Sequence, residues 1–219
     1  MNERVISIFA EMVGLLREAR ERGEICPSDL GNFDQVVKKN IHARLLGLVA
    51  LASFRQGFRV EIEAKWPLTI GNRKMKYRPD LTLRDSQTIV VEVDTIDMVA
   101  CIGMRDDRYA PKYVKENMGL FEGRLRKSVL LRLLSEQHDK EIDALMHIIT
   151  LPKFIKKTPP WKTWRYVKMT FGLEKAYDCL MHKYLEEAKE FTKPLYLTVI
   201  SEGWVKLYRK DRRLKVETW

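Results

Sequence analysis

Apolar and polar positions alternate along this chain with two different periods, and the period changes near residue 57. Between Glu3 and Arg22, Val5, Ile8, Phe9, Met12, Leu15, Leu16 and Ala19 recur at three- and four-residue spacing, which predicts an amphipathic helix closing at Gly23. "CPSDLGN" reads as a turn, and a second helix is predicted from about Asp34 to Gln56 with Gly57 placed to stop it. That helix carries Val36, Val37, Ile41, Leu45, Leu48, Val49 and Leu51 and should be heavily buried. From Phe58 to Trp66 the period falls to two, with Phe58, Val60, Ile62 and Ala64 on one face of a predicted strand and Arg59, Glu61, Glu63 and Lys65 on the other. "PLTIGNRK" holds a hairpin signal at Gly71 and Asn72, and Met75 to Leu83 and Thr88 to Asp94 read as two further strands joined by "RDSQ".

After Asp94 the pattern is irregular through "TIDMVACIGMRDD". Helices are predicted over Ala110 to Leu134, Asp139 to Ile149 and Leu173 to Phe191. Pro111 suits the first turn of the first of these. Two strands close the pattern, Leu195 to Ile200 and Trp204 to Tyr208, around an "SEG" turn. No internal repeat or low-complexity linker interrupts the chain, so 219 residues are read as a single α/β domain.

Composition narrows the classes. No run approaches the roughly 18 apolar residues of a membrane span, and the opening "MNERVISIFAEMVG" lacks the pattern of a secretory leader, so no membrane partner and an intracellular setting are expected. Cys26, Cys101 and Cys179 are far apart, without the pairs of a zinc site, and read as reduced structural residues. Only nine Asn and Gln stand beside heavy Lys, Arg and Glu usage, a bias of thermophilic kind.

Charge points to a partner. With 40 Lys and Arg against 30 Asp and Glu, the net charge of +10 favours a polyanion. The segment "PKFIKKTPPWKTWRYVK" holds six basic residues and no acidic one, with Phe154, Trp161, Trp164 and Tyr166 interleaved. Lys156, Lys157, Lys162 and Arg165 could neutralise phosphates while Trp161 and Trp164 stack on bases; equally, the tryptophans could be core anchors of a solvated basic loop.

Acidic residues gather where strands are predicted. Strand parity sets Glu92 and Asp94 on one face, away from Val91 and Val93, while Asp80 shares a face with Lys76, Arg78 and Thr82 on the neighbouring strand. Three carboxylates at short range repel one another unless a cation such as Mg2+ or Mn2+ sits among them. The competing reading is an exposed sheet face on which they pair with Arg78 and Lys76.

"YRPDL" followed by "EVD", with eleven residues between Asp80 and Glu92, resembles the PD-(D/E)xK, or restriction-endonuclease-like, nuclease superfamily. The resemblance implies an αβββαβ core, here about 34–115 plus 195–209, with an extra N-terminal helix and a helical elaboration over about 116–191. It implies a Mg2+- or Mn2+-dependent endonuclease in which Asp80, Glu92 and the Val93 carbonyl hold the metal. The family's lysine position is occupied by Asp94. Asp94 is then an added metal ligand, or a lysine has migrated from Lys65, Lys76 or Lys112, or the site is inactive. Of the extra ligands such nucleases use, Glu63 is preferred over Gln35 and over His42, which reads better as a hydrogen-bonded helix residue; His138, His147 and His182 show no ligand spacing.

Within the superfamily the chain is most similar to Holliday-junction resolvases and small nucleases of archaeal viruses. Branched or duplex DNA is the implied substrate, and Lys112, Lys115, Arg124 and Arg126 join the basic segment in gripping it. A homodimer through the apolar first helix is implied by the same resemblance. The alternative is a nuclease-like module that binds DNA in replication or transcription without cutting it.

Overall fold

The computed structural model describes residues 2–31, 35–70, 72–95, 130–151, 189, 191–201, 203–209 and 212–219. Two helices lead, α1 (Asn2–Glu21) and α2 (Gln35–Arg55), with a 3-10 turn at Pro27–Gly31 between them. Both stop at the glycines that the pattern marks: Gly23 and Gly57 take φ values of 70° and 84°, a region that a Cβ makes costly. The whole apolar stripe of α1, from Val5 through Phe9 and Met12 to Ala19, is buried within the chain. That face is therefore occupied internally, and the two-fold contact expected of it has no apolar surface left there.

Nine strands follow among the described residues. They are β1 (Arg59–Ile62), β2 (Trp66–Ile70), β3 (Arg73–Tyr77), β4 (Leu81–Arg84), β5 (Thr88–Thr95), β6 (Ala144–Leu151), β7 (Leu195–Ser201), β8 (Trp204–Arg209) and β9 (Arg212–Thr218). Seven form one sheet in the order β1-β4-β5-β6-β7-β8-β9, and β2 with β3 makes a separate hairpin. The sheet is antiparallel on both flanks and parallel at its centre, where β6 lies between β5 and β7. An α/β class is thus correct, with more of the described chain in strands than the pattern predicts.

Two strand assignments differ from the sequence reading, each for a physical reason. The strand expected from Phe58 to Trp66 stops at Ile62, because Glu63 turns the chain with φ 48° and gives its N–H to the Asp80 carbonyl at 3.2 Å. Ile62, on the apolar face of the predicted strand, is 67% exposed. The strand expected from Met75 to Leu83 is broken at Arg78, Pro79 and Asp80, where proline has no N–H to give to a ladder. Lys76 therefore lies exposed on the hairpin and does not share a strand face with Asp80.

The largest correction concerns "ALMHIITL", predicted as part of a helix over Asp139 to Ile149. It is β6, the centre of the sheet, and its residues 144–150 are all buried. A strand covered on both faces has no alternation to display, so its apolar run is indistinguishable by period from a buried helix turn. The strand next to β5 is accordingly β6 and not Leu195–Ser201, and the stretch 116–191 is not wholly helical. Residues 130–137 are helical, which agrees with the last five residues of the helix expected over Ala110 to Leu134, the rest of which lies outside the described residues. The helix expected over Leu173 to Phe191, the irregular stretch after Asp94 and Cys101, Cys179 and His182 lie outside the described residues, save Lys189 and Phe191. β9, whose Leu214 packs on the core, is an element the sequence reading omits.

The two faces of the sheet differ. One carries Ile89, Val91, Val93, Met146, Ile148, Tyr196, Ile200, Val205 and Leu207 in a continuous apolar core with α1 and α2. Alternation puts Thr82, Val90, Glu92, Asp94, His147 and Ile149 on the other. The hairpin reaches this second face, where the Trp66 indole donates to the Thr82 hydroxyl at 3.0 Å. No helix among the described residues is long and apolar enough to cross a membrane.

Candidate functional site

Register brings the carboxylates together. β4 and β5 pair with Leu81 opposite Val91, so Asp80, one residue before β4, stands beside Glu92. Its Oδ2 accepts the Val93 N–H at 2.7 Å, a bond that closes the ladder where β4 begins and fixes the carboxylate at the same time. α2 passes this point and holds the His42 Nε2 3.5 Å from the same oxygen.

Glu92 is 2% exposed, a burial that a carboxylate tolerates only with a strong donor. The Tyr77 hydroxyl, at the end of the hairpin, donates to its Oε1. Burial, and next the Glu92 carboxylate, push the Tyr77 phenol far above its usual range, with Asp80 and Asp94 adding to the effect. All three carboxylates therefore act on one hydroxyl, which stays protonated and remains a donor.

Asp94 leans toward β6. The His147 Nε2 lies 3.7 Å from its Oδ2, and the imidazole is only 3% exposed. His147 is directly opposite Glu92 in the parallel register, so the imidazole belongs to the carboxylate row as well.

The remaining expected site residues are placed as follows. Val93 is buried, with its N–H on Asp80. Glu63 is exposed and meets the Asp80 segment through its backbone N–H. Lys65, Lys76 and Arg78 are exposed. Lys112, Lys115, Arg124, Arg126, Lys156, Lys157, Trp161, Lys162, Trp164 and Arg165 lie outside the described residues.

Carboxylate oxygens with a neighbouring backbone carbonyl are the donors that hard divalent cations take, so the chemistry of Asp80, Glu92 and Val93 fits Mg2+ or Mn2+. Among the described residues, no three His, Cys, Asp or Glu side chains form a ready cage for an ion. Tyr77, His42 and His147 are what the sequence reading undervalued. Tyr77 had a signal in its place three residues before Asp80. His147 had one as the single titratable residue in an otherwise apolar and hydroxylic run. Comparison of the chain with protein-family models, with curated proteins and with solved structures found no match.

The hairpin that carries Tyr77 has its own anchor. His138 makes an edge contact with the Trp66 ring at 5.0 Å, its Nε2 meets the Pro67 carbonyl at 2.7 Å and its Nδ1 meets Glu141 at 2.8 Å. Gln137 adds two bonds to the backbone of Thr69. Burial works against the charged imidazolium, but the Glu141 carboxylate and the Pro67 carbonyl outweigh it and raise the His138 pKa. A raised folded pKa means that the contribution to stability is complete below the unfolded value of about 6.5 and is lost as pH rises through the folded value. The His138 ring resonance is expected to titrate above the ordinary histidine range and to return toward it in Glu141→Gln. Equal midpoints in the two proteins would refute this.

Proposed function

We propose that the chain is a metal-dependent nuclease that hydrolyses phosphodiester bonds in DNA, selecting structure, such as a four-way junction, over base sequence. The observation that carries this reading is the register that sets Asp80 beside Glu92, with Asp94 two residues further along β5 and the Tyr77 hydroxyl bonded to Glu92. Element order among the described residues supports it: α2, the antiparallel sheet strands β1, β4 and β5 with the β2–β3 hairpin inserted after β1, the helical segment 130–137 and β6 parallel to β5, comparable with the αβββαβ order that the resemblance implies. The net charge of +10 suits a phosphate backbone.

Asp80, Glu92 and the Val93 carbonyl would hold Mg2+ or Mn2+, which supplies polarisation of the phosphate and a more acidic water. The chain's own groups do the rest. The Val93 N–H and the Tyr77 hydroxyl each fix one carboxylate oxygen, so the two acids keep their orientation. Asp94, in the position where the family has lysine, forms with His147 a carboxylate and imidazole pair able to take the proton of the attacking water.

That same substitution favours a second reading, a DNA-binding module without catalysis, since Lys65 and Lys76 are exposed and no described lysine replaces the missing one at the carboxylates. The test is incubation with labelled single-stranded, duplex and four-way-junction DNA in Mg2+, Mn2+ or EDTA. Cutting is expected in either metal, fastest on the junction, and none in EDTA. Binding with no cutting of any substrate would leave the second reading standing, and no binding at low salt would overturn both.

A further inference from the structure

Four arginines on or beside α1 and α2 have carboxylate partners. Arg4 pairs with Asp85, Arg17 with Glu217, Arg22 with Glu18 and Glu24, and Arg55 with Glu11. The opposite holds on the far edge of the sheet. Residues 204–219 contain six Lys and Arg against two Asp and Glu. The described acid there, Glu217, is bonded to Arg17. Arg212, Arg213 and Lys215 are exposed, and among the described residues none of them has a carboxylate partner. Lys206 lies over the face of Trp204, its Nζ 4.1 Å from the ring centre.

Register relates this charge to the carboxylates. The row through Glu92 runs across the sheet to His147, Leu197, Tyr208 and Arg213. The row through Asp94 runs to Ile149, Val199, Lys206 and Val216. Residues in one row share a face, so Lys206 and Arg213 belong to the carboxylate face, three and four strands away. At about 4.8 Å per strand the separation is about 14 to 19 Å. A DNA strand carries a phosphate about every 3.4 Å of duplex axis, so a backbone contact at the edge and a scissile bond at the carboxylates fall about four to six phosphates apart.

We infer that the β8–β9 hairpin, through Lys206 and Arg213, grips the phosphate backbone of the DNA whose more distant phosphodiester lies at Glu92 and Asp94. The second half of that statement rests on the nuclease reading, while the grip itself is a binding property. Phosphate is the partner that this surface fits because its cations have no carboxylate partner among the described residues, and displacing ions from DNA makes their attachment favourable and dependent on salt. Trp204, held under Lys206, lies at the same edge as an aromatic face beside the cations.

The experiment is DNA binding by the full chain in EDTA, so that no cutting intervenes, read as the slope of log affinity against log salt. Replacing Lys206 and Arg213 together by Gln is expected to make the slope shallower by about 2, since each lost phosphate contact removes about 0.9. Arg22→Gln, which removes a paired arginine just past the end of α1, is expected to leave the slope unchanged. Thermal melting checks that the double variant folds. If it does not, the exposed Arg213→Gln alone carries the test, with a change of about 0.9. A slope equal to that of the unsubstituted chain overturns the grip and leaves the nuclease reading intact. Absence of DNA binding by the unsubstituted chain overturns both.

Discussion

Asp80→Asn is expected to lower metal-dependent cleavage by at least about a hundredfold, beyond the roughly 10- to 100-fold that loss of an outer-shell partner costs. The substitution is chosen for what it keeps. Asparagine retains a carbonyl oxygen where Oδ2 accepts the Val93 N–H at 2.7 Å, so the junction of β4 and β5 survives and the stability cost is about 1 kcal/mol or less. What it removes is the charge that a divalent cation needs. Calorimetric titration with Mn2+ should show metal affinity falling in step with cleavage. Cleavage at an undiminished rate by a folded Asp80→Asn protein would refute the assignment of Asp80, whatever the substrate. If DNA is cut by neither protein, metal titration still reports on the carboxylates.

Trp219→Ala is expected to cost about 3 to 5 kcal/mol, the range for truncating a large buried aromatic. Its indole is 5% exposed and part of the core shared by α1 and the sheet. The indole N–H donates to the Ser201 carbonyl at 2.7 Å, and the backbone N–H donates to the Gly203 carbonyl at 3.4 Å. Arg20 covers the ring at 5.8 Å and bonds the Trp219 carbonyl, while Arg17 donates to the Thr218 carbonyl at 2.7 Å. Truncation leaves a cavity and an unbonded Ser201 carbonyl together. In thermal melting the loss should appear as a fall of roughly 10 °C. Trp219→Phe keeps most of the volume and should recover the larger part, leaving about 1 kcal/mol for the lost hydrogen bond. A change under 1 kcal/mol in Trp219→Ala, by denaturant titration, would show that the clamp of α1 on β9 contributes little.

Legibility from sequence followed burial geometry. α1, the existence of α2 and the two glycine stops were readable because period and caps agree, but the heavy burial expected of α2 is not found, since Leu51 and Phe54 are exposed. β5 was readable in a narrower sense: Val91 and Val93 against Glu92 and Asp94 gave the correct faces even though all but Asp94 are buried. β6 was not readable, since apolar cover on both faces erases the alternation that distinguishes a strand. The break at Arg78, Pro79 and Asp80 was hidden by β-forming residues on either side, although the proline was a clue to it. At the carboxylates, Asp80 and Glu92 could be paired from spacing, but their partners could not. Tyr77, His42 and His147 arrive from a hairpin, a helix and a distant strand, and only the three-dimensional register decides which of them meet.

The clasp between α1 and β9 also bears on how the chain reaches its folded state. Arg17 and the Thr218 carbonyl that it holds are 201 residues apart. The central parallel pairs, β5 with β6 and β6 with β7, join segments separated by long stretches of chain. Contacts of such high order slow folding, because a large loop must close before any of them forms. During synthesis at about 5 to 20 residues per second, α1 emerges roughly 10 to 40 s before the strand that covers its last turn. Through that interval the apolar stripe of α1 and the unpaired edge of β5 lack their final partners, so a nascent chain held at the ribosome is the form of this protein most exposed to aggregation and to chaperone capture.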